Sequence, residues 1–205
     1  RDPNAGPSPE SPTEYPTHSG RLRLWIWLEL AITTGLVVFA LVRLGPQLGA
    51  LTGVGPDLGL APTYAFVALD GTTIESGDLT GRVVVLNFWA TWCGPCKLEM
   101  PSLQSLHDDR ADDGVVVLGL STDVGSVDAV RGFLQERGIA YPVGMASQEH
   151  RRAFGGIQGI PTTFIIDKTG VVRHRVVGYF APPALRAAVD RLVDEDPIGP
   201  GTDPG

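Results

Sequence analysis

Cysteine is nearly absent from this chain. Cys93 and Cys96 are the only two thiols in 205 residues. No stray thiol is left to mispair in an oxidising compartment. One Cys pair, with no second pair and no nearby His, also falls short of the four ligands of a zinc site. Histidine is scarce too. His18, His107, His150 and His174 are all there is, none paired locally with an acid or Cys at ligand spacing. Each reads as a surface residue. Positive charge is in deficit, with 16 Lys and Arg against 23 Asp and Glu for a net charge of −7. That balance argues against a nucleic-acid partner. There is no internal repeat. The chain opens on Arg1 rather than Met, which leaves its natural start open.

What is present divides the chain into five stretches. Residues 1–20 are rich in Pro, Ser and Glu without an apolar period, and are expected to be a disordered tail. Residues 21–44 are expected to form a transmembrane helix. Its apolar run, 24–42, spans a hydrocarbon core of about 30 Å at helical rise. Trp25 and Trp27 sit near one end, as interfacial indoles do. Glu29 is the single charge inside, shallow enough to reach the headgroups or placed to pair with another membrane helix. A signal peptide is the rival reading, but the run is long for one and no clear small-x-small cleavage site follows. Arg21 and Arg23 precede the helix, Arg43 stands alone behind it, and the next basic residue is Arg82. The positive-inside rule then puts the N-terminus in the cytoplasm and the rest outside, anchored in the cell membrane by a single pass. Residues 45–60 read as a Gly/Pro linker whose leucines could also lie on the bilayer surface. Residues 61–194 are the folded domain, and 195–205 a polar tail.

Within the domain the organising stretch is Trp92-Cys93-Gly94-Pro95-Cys96. Before it, Val83 to Phe88 is apolar and β-branched, as a buried parallel strand should be. After it, Lys97 to Leu106 has helical spacing, with Pro101 expected to kink the helix. A Cys-x-x-Cys at such a junction reads as a thiol–disulfide redox pair. Cys93 would sit at the helix N-terminus, where free N–H groups and the dipole stabilise a thiolate, and so be the attacking sulfur. Cys96, one turn in, would be the more buried resolving thiol. Pro95 needs no donor so early in a helix. Gly94 leaves the sulfur open to a partner backbone. A purely structural disulfide is a poor alternative, because so short a loop restrains the unfolded chain little.

The remaining pattern alternates strands and helices. Residues 65–69 and 72–75 flank Asp70-Gly71, a two-residue hairpin signal. A second buried strand runs over 115–120. A helix over 127–138 sets Val130, Phe133 and Leu134 on one face. A short edge strand follows at 141–144 and a short helix at 149–154. Residues 162–166 and 171–177 form a hairpin, and 182–193 the last helix. The sum is an α/β sandwich around a mixed sheet.

The run Asn87 to Lys97 resembles the active-site signature of the thioredoxin superfamily, and Gly159-Ile160-Pro161-Thr162 resembles its cis-proline loop. The Asp70-Gly71 hairpin, Gly81-Arg82, and Thr162 to Asp167 look like the membrane-anchored TlpA-like branch, which includes the thiol reductases of cytochrome c maturation. The segment from Leu120 to Gln148 resembles that branch's extra helix and strand. The resemblance implies a thioredoxin-like fold over about residues 61–194. It implies Cys93 as nucleophile and Cys96 as resolving thiol in a redox-active disulfide. It implies a cis Pro161 against that disulfide, with Trp92, Gly94, Pro95 and the Ile160 backbone facing a substrate chain. Thioredoxin has a buried Asp where this chain has Asn87, which cannot take a proton from the resolving thiol. Glu99 matches a Glu that TlpA-like reductases place beside their thiols, and is the expected proton acceptor.

The function so implied is a membrane-tethered, extracytoplasmic thiol–disulfide oxidoreductase, with no cofactor and no metal. Its partners would be protein disulfides, such as an apocytochrome haem-binding pair, a membrane thiol electron donor, and the bilayer around residues 24–42. The Gly-Pro dipeptide is that of thioredoxin, with a potential near −270 mV against about −120 mV for a strong oxidant, and leans toward reduction. Three rivals fit less well. A peroxiredoxin wants Thr where Ala90 stands. A copper chaperone suits a thiolate pair but wants wider spacing and a distal His. A non-catalytic thioredoxin-fold subunit of a membrane complex would not need the intact Cys pair and Ile160-Pro161.

Overall fold

The computed structural model describes residues 19–52 and 58–195. The chain forms two compact units, Arg1–Val42 and Arg43–Gly205. The tail expected over 1–20 falls outside the described residues up to position 18, and Ser19 and Gly20 already belong to a helix. That helix, α1, runs over Ser19–Thr52. Its stretch Trp25–Val42 is long and apolar enough to cross a bilayer, and none of it is buried within the protein. Thr33 lowers its own polarity there, its hydroxyl donating to the carbonyls of Glu29 at 2.8 Å and Leu30 at 3.1 Å.

Three further expected boundaries move. The helix was expected to end at 44, yet it continues to Thr52, through Leu48, Ala50 and Leu51 and in spite of Gly45, Pro46 and Gly49. The linker expected over 45–60 is therefore helical in its first half. Its last residues belong to the domain, since Leu58 N–H donates to Val172 O at 3.0 Å and Leu60 bridges Val171. Residues 53–57 lie outside the described residues. At the far end, Glu195 is also part of the domain, its carboxylate 2.9 Å from Arg173 and its carbonyl accepting from Lys168 Nζ at 2.9 Å. Residues 196–205 lie outside the described residues.

The second unit opens with a hairpin, β1 (Ala65–Val67) and β2 (Thr73–Glu75). The turn is longer than the expected two residues. Ala68 N–H donates to Thr72 O and Gly71 N–H to Ala68 O, which encloses Leu69-Asp70-Gly71. Gly71 takes φ 93°, the left-handed position that closes a three-residue hairpin loop. The Asp70 carboxylate accepts from Thr72 N–H at 2.8 Å and fixes the corner.

The main sheet follows from β3 (Val83–Trp89), β4 (Val115–Ser121), β5 (Val143–Met145), β6 (Thr162–Ile166) and β7 (Val172–Val177). Their spatial order is β5-β4-β3-β6-β7. β3, β4 and β5 are parallel, while β6 and β7 run antiparallel. This is the expected mixed sheet. β3 is central and buried along its whole length, which is why it is a continuous apolar run. Helices α2 (Gly94–Arg110), α3 (Val127–Glu136), α4 (Gln148–Ala153) and α5 (Pro182–Asp194) connect and cover the strands. Pro101 lies inside α2.

Side chains of β3 alternate between two cores. Val84, Leu86 and Phe88 join Tyr64, Phe66, Phe154 and Phe164 on the face covered by the hairpin and α4. Val83, Val85 and Trp89 join Met100 and Leu103 of α2 and Leu185 and Val189 of α5 on the other.

Candidate active site

The parallel strands end, and β6 begins, on one edge of the sheet. β3 delivers the chain there at Trp89, and α2 starts five residues later. Cys93 is the N-cap of α2 in extended conformation, and its sulfur accepts the Cys96 N–H at 3.3 Å. Pro95 occupies the first turn, where no donor is needed. Cys93 and Cys96 are joined in a disulfide with Cα atoms 5.3 Å apart. Both are buried, Cys93 at 4% exposure and Cys96 at 1%. Around them Trp92 is 70% exposed, and Gly94 and Pro95 are open to solvent.

Ile160–Pro161 is a cis peptide bond immediately before β6. Because β6 is antiparallel to β3, with Thr162 opposite Phe88, this loop reaches the same edge as the Cys pair. Ile160 packs against the core cluster that contains both cysteines.

The approach to Cys93 is held by a residue the sequence reading missed. The Asp123 carboxylate accepts from Thr91 N–H at 2.8 Å, Thr91 Oγ1 at 2.6 Å and Ser121 Oγ at 2.8 Å. Thr122 donates from N–H and Oγ1 to Trp89 O. An acid just past the end of the strand beside β3 was the available signal.

Beneath the pair lies a buried polar chain. Asn87 Nδ2 donates to Thr163 Oγ1 at 2.9 Å, and Thr163 Oγ1 donates to Glu99 Oε1 at 2.9 Å. Glu99 is 1% exposed, so it is a core residue of α2 and no solvated helix glutamate. Its second oxygen, Oε2, has no hydrogen-bond partner. Burial pushes its pKa up to about 7. The Thr163 hydroxyl, and after it the Phe180 amide, pull less strongly the other way. Thr163 was not singled out from sequence, since its link to Glu99 spans 64 positions.

The histidines stay outside this network among the described residues. His150 clamps the hairpin instead, with Nδ1 accepting Ser147 N–H at 3.1 Å and Nε2 2.9 Å from Ala65 O. No group of three or more His, Cys, Asp or Glu placed to hold a metal ion occurs among the described residues.

A mixed sheet with a Cys-x-x-Cys disulfide opening a helix and a cis-proline loop at the same edge defines a thioredoxin-like redox protein. The family described as AhpC/TSA matches residues 58–175, and the chain belongs to it. Among curated relatives, thiol-disulfide oxidoreductase ResA of Bacillus thuringiensis is 36% identical over 118 residues, covering 58% of this chain and 68% of that one. Thioredoxin-like protein YneN of Bacillus subtilis is 31% identical over 131 residues, covering 63% and 76%. Among solved structures, a thiol:disulfide interchange protein of the thioredoxin family from Chlorobium tepidum superposes with a TM-score of 0.62 at 33% identity, covering 68% of this chain and 98% of that one. The chain is thus a thiol–disulfide oxidoreductase of the ResA type.

Proposed function

We propose that this enzyme reduces disulfides of exported proteins from a tethered position on the outer face of the cell membrane. The observation that carries the chemistry is the Cys93–Cys96 pair at the start of α2, with Glu99 buried one turn further on. In the dithiol form, Cys93 at the helix N-terminus is the thiolate and attacks one sulfur of a substrate disulfide. A mixed disulfide forms, and the other substrate sulfur leaves as a thiolate that takes a proton from water. Cys96 then gives its proton to Glu99 and attacks Cys93 Sγ. The second substrate sulfur is released, and two electrons have passed from the dithiol to the substrate. The enzyme is left as the Cys93–Cys96 disulfide, to be reduced again by a membrane thiol donor. Trp92, Gly94 and Pro95, with the Ile160 backbone held by the buried cis Pro161, form the surface that receives the substrate chain. An apocytochrome c haem-binding Cys pair is the substrate this reading favours.

Tethering is supported by the unburied apolar stretch of α1, and the outward orientation by Arg21 and Arg23 against the lone Arg43. Protease added to intact cells should reach the domain; digestion only after lysis would reverse the topology. The site roles are tested by Cys96→Ala, which should accumulate mixed disulfides on Cys93. In the reduced wild type, mass mapping should find Cys93 alkylated first near neutral pH. Faster alkylation of Cys96, or no trapped partner, would sink the assignment.

A further inference from the structure

Glu99 Oε1 accepts from Thr163, while Oε2 has no partner at hydrogen-bond distance; the Phe180 amide pulls on the carboxyl without closing that bond. Unpaired buried acceptors are rare because each forfeits its hydration. Within the same core two donors are in the same position, the Tyr141 hydroxyl and Trp89 Nε1. Tyr141 is 2% exposed, so water outside the protein does not satisfy it.

The sheet explains how these groups come together. One rung reads Val143, Gly119, Asn87, Thr163 and Val176 across β5, β4, β3, β6 and β7. Its middle is polar on the face under α2. A Cβ at Gly119 would stand 2.9 Å from Val143 Cγ2, 3.1 Å from Trp89 Nε1 and 3.2 Å from Tyr141 Cε2. The bare glycine therefore lets the indole and the phenol ring settle on the strand beside Asn87, which is tied through Thr163 to Glu99. From above, α2 holds the same segment. Gln104 Oε1 accepts from Ala140 N–H at 2.7 Å and from Tyr141 N–H at 3.4 Å, and the His107 ring lies 6.4 Å from the Tyr141 ring.

From this geometry we propose that the Tyr141 hydroxyl is the second hydrogen-bond donor to Glu99, acting through one buried water, and that it sets the proton affinity of that carboxyl. The proposal deepens the reading of Glu99 as proton acceptor and rests on it for its link to the rate. Tyr141 is a positioning residue, because it acts on the thiol only through Glu99. The titratable groups facing this space are Cys96 and Glu99 from α2 and Tyr141 from the segment before β5. His107 meets the Tyr141 ring from further along α2. β3, β6 and the segment before α5 contribute Asn87, Thr163 and the Phe180 amide, which carry no charge. The two groups lie within electrostatic reach: beyond burial, the Glu99 charge helps push the Tyr141 hydroxyl above its ordinary range. The phenol thus stays protonated, and a donor, while Glu99 titrates.

The test is NMR on the full chain in detergent micelles, with 13C in Glu and Tyr side chains and the disulfide intact so that no thiol titrates. The Tyr141 Cζ signal should step with pH at the midpoint of the Glu99 carboxyl, and Glu99→Gln should abolish that step. Tyr141→Phe should raise the Glu99 midpoint by about one pH unit, the size expected for losing one hydrogen bond to a charged group. The acidic limb of the disulfide-reduction rate should move up with it. A Tyr141 signal that stays flat through the Glu99 titration overturns the proposal, and that comparison does not depend on Tyr141→Phe folding. An unmoved Glu99 midpoint in folded Tyr141→Phe overturns it too. Should Glu99→Gln keep the wild-type rate profile while the Tyr141 step persists in wild type, the hydrogen bond stands and only the catalytic reading of Glu99 falls.

Discussion

The two faces of the central sheet are built from the same strand and differ in kind. Toward the hairpin and α4, β3 presents Val84, Leu86 and Phe88 to a core of Tyr64, Phe66, Phe154 and Phe164. Phe88 packs 5.6 Å from Phe154 and 6.0 Å from Phe164 between ring centroids, in edge contacts that favour aromatic pairs. Toward α2, the same strand places Asn87 between Val85 and Trp89, and Asn87, Thr163, Glu99 and Tyr141 interrupt the apolar packing. One face is almost wholly apolar, its buried Thr162 hydroxyl turned back to Gly159 O, and supplies cohesion. The other accepts buried polar groups, which cost stability, and it is the face that carries the disulfide. The fold separates the two demands by the two-residue period of a strand.

The largest expected effect breaks the cohesive face. Phe88→Ala should destabilise the domain by about 3–5 kcal/mol, the range for a fully buried aromatic. Urea unfolding followed by near-UV circular dichroism measures it. The pH profile of the remaining folded enzyme should stay as in wild type, because no polar partner of Glu99 is touched.

Next comes the cost carried by the polar face. The Glu99 pKa rises from 4.5 unfolded to about 7 folded, so between these values the folded state binds more protons. Stability therefore falls as pH rises through this window, by roughly 3 kcal/mol in all, taken as an upper bound. Glu99→Gln removes the penalty. It should stabilise the domain above pH about 7 and lose that advantage toward pH about 4. Equal stability gains at both pH values would show that Glu99 is not buried as a charge.

Thr163→Val should have the smaller effect of about 1–3 kcal/mol, since it strands the Asn87 amide and Glu99 Oε1 together. Losing that donor raises the Glu99 pKa further, so the acidic limb of the rate should shift to higher pH. A shift to lower pH would contradict the direction assigned to the Thr163 hydroxyl.

Much of this was legible in the sequence for local reasons. The Cys pair, the strand before it and the helix after it are contiguous, so Cys93 at a helix N-cap follows from composition and spacing. The Ile160-Pro161 loop was legible only through its resemblance to a known motif, because the sequence itself does not force a cis bond. Glu99 was singled out through the same resemblance, and its burial agrees with its place three residues on from Cys96 along α2. What escaped is what long-range pairing decides. Thr163 meets Asn87 across 76 positions, and its hydroxyl reads as an ordinary strand threonine until β6 is laid against β3. Asp123 reaches Thr91 only because β4 lies beside β3, a pairing across 32 positions. The linker was misread because Leu and Ala around Gly45 favour continuing a helix, while Gly and Pro suggested its end.

The polar face stands or falls as a proton-handling device on one measurement, the pH dependence of single-turnover disulfide reduction by wild type and by Glu99→Gln. Wild type should show an inflection near pH 7, where Glu99 gains its proton and ceases to accept one from Cys96. In Glu99→Gln the inflection should vanish and the rate above it fall by up to about 10²-fold, the usual range for lost acid–base help. An unchanged rate and an unchanged profile in Glu99→Gln, alongside loss of both in Asn87→Ala, would contradict it and move proton transfer to water held at Asn87.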